Sequence, residues 1–168
     1  ELPRKEKEYF YKKNDLEVLR VNSGRSAFFY SVKFQKIKTI YLPYFNCIET
    51  KDPFEANKVK IKYYNLDENL LPKDIYLKKN EYLLWTNYYG NASEDDIKYI
   101  TSNFTNIIID NCNAFFSKPI EKAYNCYSTR KFFGVSDGGY LISKNLNINE
   151  LIESDKSYDG FSHLIKQI

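Results

Sequence analysis

Apolar and polar positions alternate along the chain with two different periods. Val18, Leu19 and Val21 form a brief apolar run. Asn22 or Ser23 can then cap a helix continued by Ala27, Phe28, Tyr30 and Val32. KTIYLPYF (38–45) reads as a buried strand stopped by Pro43, CIETKDPFEAN as a helix ending near Asn57, and KVKIKYYNL (58–66) as an alternating strand. EYLLWTNYYG (81–90) predicts a strand with an aromatic exit loop. SEDDIKYITSNF (93–104) predicts a helix opened by Ser93, with acids in its first turn that complement the helix dipole. TNIIID (105–110) is a very apolar strand ending in a carboxylate, and KAYNCYS (122–128) and GGYLISK (138–144) read as further strands. RKEKEYFYKK (4–13) suits a charged surface helix with an aromatic stripe, and NINELIESD (147–155) a closing helix.

Strands that alternate with helices predict an α/β domain over 1–168. The expected architecture has three layers, with a mainly parallel sheet and helices on both faces. Ligands of such sheets sit outside the carboxyl ends of the strands. Several polar singularities fall there: Ser23-Gly24, Tyr44, Tyr88-Tyr89, Asp110, and Ser128 to Lys131.

Composition narrows the partners. The chain has 168 residues, enough for one sizeable core, and 43% of them are apolar, which argues against disorder. Its 25 basic and 22 acidic residues leave a net charge of +3, too little to argue for nucleic acid. The 16 tyrosines and 12 phenylalanines mix with Lys, Asn and Ile throughout, so they read as core and rim packing. Cys47, Cys112 and Cys126 are odd in number and lack a CxxC spacing, which suits a reduced, cytoplasmic protein without a disulfide scaffold or zinc site. His163 is the sole histidine, so histidine triads and histidine-held metals are poor expectations. No apolar run approaches the roughly 20 residues of a membrane span. There is no methionine.

Three motifs carry candidate chemistry. Asp110 follows Ile107-Ile108-Ile109, and a buried carboxylate is costly unless paired. It either caps a following helix or pairs with a cation such as a protonated ring nitrogen. NSGRSA (22–27) offers a glycine and a helix N-terminus, which together suit an anion or simply make a capped helix. Ser128-Thr129-Arg130-Lys131 matches the Ser-x-x-Lys of serine acyl enzymes, but no Lys-Thr-Gly follows, and Tyr89-Gly90-Asn91 lies upstream, in the wrong order.

Taken together, NSGRSA, LPYFNC, WTNYYGN, IIIDNCNAF and YSTRKFFGVSDGGYLIS resemble, in order, the DegT/DnrJ/EryC1/StrS sugar-aminotransferase family. These are fold-type-I enzymes that depend on pyridoxal 5′-phosphate (PLP). The resemblance spans 22–144, and its most specific parts are the aspartate-to-lysine stretch and the Gly138-Gly139 pair seven residues after the lysine. It implies that this chain is the large domain of such an enzyme. Lys131 would be the Schiff-base lysine and later the general base, and Asp110 would keep the pyridine nitrogen protonated. Gly24, Arg25 (through its backbone) and Ser26 would take the phosphate.

Departures from the family pattern shift other roles. The phosphate-binding serine usually stands five residues before the lysine; that position is Cys126, leaving Ser128 to substitute. The ring-stacking aromatic falls near Cys47, leaving Tyr44, Phe45 or Tyr88 to cover the cofactor face. Asn113 replaces the histidine three residues after the aspartate. Against the family pattern, the C-terminal small domain and the asparagine-bearing segment through which a partner subunit usually reaches the phosphate are not expected within residues 1–168.

The leading expectation is amino transfer from an amino acid donor to a keto group on a nucleotide-linked sugar, by a chain that forms a homodimer and alone turns over little. The alternative is a truncated or degenerate PLP-fold protein acting as a binding or interaction module.

Overall fold

The computed structural model describes residues 15–146. The helices expected at 4–13 and 147–155, and His163, lie outside the described residues. Within them runs one sheet of eight strands: β1 (Glu17–Val21), β2 (Thr39–Pro43), β3 (Lys60–Leu66), β4 (Pro72–Lys73), β5 (Glu81–Thr86), β6 (Ile107–Asp110), β7 (Tyr124–Ser128) and β8 (Gly139–Ser143). Their order is β1-β8-β7-β6-β5-β2-β3-β4. The run from β7 to β3 is parallel, whereas β8 is antiparallel to both β1 and β7, and β4 to β3. The strand order reverses between β2 and β5, so their carboxyl ends diverge and open a crevice.

Three helices follow the polar punctuation. In α1 (Gly24–Gln35), Ser23 is the N-cap and accepts from Ser26 N; Lys36 closes the helix in the left-handed region, its N–H donating to Val32 O. The stretch 47–57 breaks into a 3₁₀ turn (Ile48–Thr50) and the short α2 (Asp52–Ala56), because Pro53 fits only a first helical turn. In α3 (Glu94–Asn103), Ser93 and Asp96 form a reciprocal capping box. The two-residue β4 is too short to show in any hydrophobic pattern.

Side-chain alternation explains the core. Ile40, Leu42, Leu84, Ile108, Cys126 and Leu141 pack with Ala27, Phe28 and Val32 of α1 and Phe54 of α2. Residues of opposite parity on the same strands, Leu83, Trp85, Ile107 and Ile109, pack with Ile100 and Phe104 at α3. Both sides of β5 and β6 are thus buried, which is why these strands read as unbroken apolar runs.

No helix links β6 to β7. The connection is a series of turns held by Asn125, which is fully buried. Its side chain accepts from Ile120 N and donates to the carbonyls of Ile120, Ala123 and Ile142. Among the described residues no helix is long and apolar enough to cross a membrane, and no group of three or more His, Cys, Asp or Glu could hold a metal.

Candidate functional site

The carboxyl ends of the strands surround a cavity of about 760 Å³. Gly24, Arg25, Phe45, Tyr88, Asp110, Asn113, Ser128 and Lys131 all line it, so eight of the ten expected cofactor contacts converge. Ser26 and Tyr44 are not among the lining residues. The Ser26 hydroxyl donates to Asn22 Oδ1 and lies 3.0 Å from Ser23 Oγ, committed to the helix cap. Tyr44 turns outward and stacks on Tyr63, with ring centroids 5.1 Å apart.

Asp110 ends β6 on the floor of the cavity and is only 7% exposed. Burial pushes its carboxyl up, opposed by hydrogen bonds from the Cys112 backbone and thiol and by the charge of Lys131. The backbone bond, Cys112 N to Asp110 Oδ1, is 2.9 Å. No helix follows, so this is an Asx turn and the carboxylate caps nothing. Cys112 is buried with its thiol pushed well up, and Cys47, Cys112 and Cys126 are all free.

The N-terminus of α1 faces the same floor. By helix geometry the N–H groups of Gly24 and Arg25 have no intrahelical acceptor. A Cβ on Gly24 would collide with Cys112 Sγ and would stand 3.5 Å from Ser128 Cβ. Only glycine lets the helix start sit against both strand ends. The Arg25 side chain leaves the floor for Asp52, at 3.6 Å.

Lys131 is exposed, on the loop that joins β7 to β8. Thr129 holds the base of this loop. Its N–H donates to Gly138 O at 3.1 Å, and its hydroxyl reaches the carbonyls of Asp137 and Gly138. Gly138 N donates to Asn22 O at 2.8 Å, tying the loop to the start of α1. Gly138 has φ +116, and a Cβ there would be 2.5 Å from Thr129 Oγ1. Phe132 and Phe133, next to the lysine, pack on Phe115 with centroids at 5.8 and 4.9 Å.

The aromatic wall is Phe45 stacked on Tyr88, centroids 5.4 Å apart, with the Tyr88 hydroxyl donating to Phe45 O. Partial burial pushes the Tyr88 phenol up to about 12, so it stays a donor at neutral pH. Tyr89 holds a left-handed backbone (φ 59, ψ 12) at the rim. Strain of this kind in a tyrosine is typical of functional loops.

Sequence reading left several further lining residues without a role, among them Thr86, Cys47 and Arg130. Thr86 pairs in register with Asp110, so the end of the neighbouring strand was the available signal. Cys47 donates its thiol to Glu49; that bond raises the thiol, while the charge of Lys131 pulls it down. Arg130 also faces the cavity, beside Lys131.

No protein-family model matches the chain, and no curated protein matches it in sequence. Solved structures do match in fold. NtdA from Bacillus subtilis, with bound cofactor PMP, superposes at TM-score 0.63 and 17% identity over 77% of this chain and 33% of its own. DesV from S. venezuelae, in complex with a ketimine intermediate, gives 0.62 and 16% over 85% and 46%. The E. coli GDP-4-keto-6-deoxy-D-mannose-3-dehydratase, with hydrated PLP, gives 0.58 and 19% over 86% and 48%. The chain thus spans between a third and a half of the length of these relatives. The mixed α/β fold, with its mostly parallel eight-stranded sheet, is the fold that these solved structures share.

Proposed function

We propose that this chain is a PLP-binding large domain, three-layered with helices on both faces of its sheet, of an aminotransferase that acts on a keto sugar. The observation that carries the reading is the convergence of Asp110, Lys131 and the α1 N-terminus on one cavity. Solved structures of the same fold with PMP or PLP bound support it.

The residues fit the cofactor. Asp110 is a buried carboxylate whose Oδ1 is held by Cys112 N and which feels Lys131 without forming a salt bridge among the described residues; a protonated pyridine nitrogen would supply a direct cationic partner. Gly24 N–H, Arg25 N–H and the Ser128 hydroxyl would receive the phosphate, since they meet at the helix start. Phe45, Tyr88 and Asn113 would border the ring, with the stacked Phe45–Tyr88 pair keeping water from one side. Lys131 would hold the cofactor by its amine and then carry a proton between donor and acceptor carbons. Bound PLP would supply the electron sink for that proton movement.

Charge in the cavity supports an anionic substrate. Arg130 and Lys131 line it with Glu49 and Asp110, of which Asp110 is buried at the floor, while the Arg25 side chain turns to Asp52. Arg130 suits the carboxylate of an amino donor or the diphosphate of a nucleotide-linked sugar. A second copy of the chain is the proposed assembly partner: Phe45, Ile48, Tyr89 and Phe116 are each at least 60% exposed near the cavity mouth. Light scattering tests the dimer. The function is tested by adding PLP and glutamate, then assaying for PMP and 2-oxoglutarate. Loss of PMP formation in Lys131→Ala supports the reading, and unchanged formation refutes it.

A further inference from the structure

Behind the strand ends, on the side away from the large cavity, lies a smaller one of about 220 Å³, lined by Trp85, Asn87, Asn111 and Ser117 among others. Alternation along the strands makes the two cavities neighbours. Trp85 and Asn87 face the small one and Thr86 the large one. On the next strand Asp110 lines the large cavity and Asn111 the small one. Asn87 is 5% exposed and lies outside the large cavity, yet it ties together two segments that line that cavity, the turn of Tyr88 and Tyr89 and the loop that starts at Asp110.

Its side-chain amide donates to Asn111 Oδ1 at 3.0 Å and to Ser117 Oγ at 3.1 Å. Its side-chain oxygen accepts from Ala92 N at 3.3 Å, closing the turn that presents Tyr88 and Tyr89. Its backbone N–H donates to Asp110 O at 3.0 Å. On the far side of that clamp, Asn111 N donates to Cys126 O at 2.8 Å. Both capacities of the amide are therefore used: the two donated bonds cross to the loop after β6, and the accepted one closes the turn of Tyr88 and Tyr89. Tyr89 has φ 59 inside the same turn, a conformation that needs outside support.

From these bonds we infer that Asn87 is a positioning residue for the cofactor site. It fixes the Asp110 strand end and the Tyr88–Tyr89 wall relative to each other from behind. This rests on the PLP reading only for what the site holds; the clamp itself belongs to the free chain. Asn87→Ala removes three side-chain bonds and leaves the backbone bond to Asp110. The Asp110–Cys112 turn should then loosen although neither residue is altered.

The test compares Asn87→Ala, Ser117→Ala and, on the outer part of α3, Thr101→Ala, whose hydroxyl bonds only within its helix. In the free chains, hydrogen exchange is followed at Cys112 N–H, whose acceptor is the Asp110 carboxylate. Asn87→Ala should speed this exchange about tenfold, Ser117→Ala by a smaller factor, and Thr101→Ala should leave it unchanged. In parallel, PLP dissociation constants should rise about tenfold for Asn87→Ala, with a displaced ¹⁵N shift of the bound pyridine nitrogen.

A folded Asn87→Ala with parental Cys112 exchange overturns the inference. So does an unfolded Asn87→Ala accompanied by a Ser117→Ala indistinguishable from the parent. Parental exchange that rises in Asn87→Ala, in a chain that binds no PLP in any form, upholds the clamp and refutes the cofactor reading instead.

Discussion

Gly139 and Ser23 meet backbone to backbone. A Cβ on Gly139 would stand 2.8 Å from the Ser23 carbonyl carbon and 2.6 Å from Tyr127 O. The first residue of β8 is thus wedged between the end of β7 and the N-cap of α1. This contact sets the distance between the loop of Lys131 and the helix start proposed to take the phosphate.

Gly139→Ala should therefore act on both. Backbone lies on two sides of the new methyl, so neither neighbour can yield by a rotamer change. The expected cost is about 1–3 kcal/mol of stability, with weaker PLP binding at temperatures where the variant is folded. Thermal melts with and without PLP check this. Gly134→Ala, in open space on the same loop, should leave stability near the parent's.

Asp110→Asn should stabilise the free chain while weakening PLP binding. Burial raises the Asp110 carboxyl in the folded state, so folding opposes its ionisation. Above the raised folded value both states are ionised and the folded one bears the cost. As pH falls through the raised folded value, the folded state takes up a proton first and the cost disappears. The gap in stability between variant and parent should thus be widest near pH 7 and close toward the ordinary aspartate value of about 3.9. Denaturant midpoints across that range measure it; a gap that widens toward acid contradicts the account.

Much of this was legible in the chain. The Ile107–Ile109 run announced a strand buried on both faces, and Ser93 with Asp96 announced a helix start. Asp110 stood out because a carboxylate at the end of an apolar strand is costly, whereas Lys131 was singled out by the family resemblance, through its offset from the Gly138-Gly139 pair. Ser26 and Tyr44 do not line the cavity, for a local reason. A sequence does not reveal whether a hydroxyl at the third helical position serves its own cap, as Ser26 does with Asn22 and Ser23. Nor does it show which ring of a Tyr-Phe pair turns inward: Phe45 found Tyr88, while Tyr44 found Tyr63 on the neighbouring strand. Asn87 was invisible because its partners Asn111 and Ser117 lie 24 and 30 residues away, and Asn125 because no sequence pattern marks the turns before it that its side chain holds.

Asn125→Ala should be among the most damaging substitutions away from the cavity. It strands Ile120 N and removes the donor to two carbonyls in the turns between β6 and β7, Ile120 and Ala123, and to Ile142 O on β8. Each stranded buried group costs about 1–3 kcal/mol, so a loss of several kcal/mol is expected. A denaturant midpoint unchanged from the parent would show that these turns are held by something else.

The central claim is that Lys131 carries PLP above a floor made by Asp110 and the start of α1. Incubation with PLP, reduction with borohydride and peptide mapping test it most directly. The account predicts a single stoichiometric label on Lys131, lost in Lys131→Ala and weakened in Asp110→Asn. A label spread over the exposed lysines, or one fixed on another lysine with Lys131 unmodified, would contradict it.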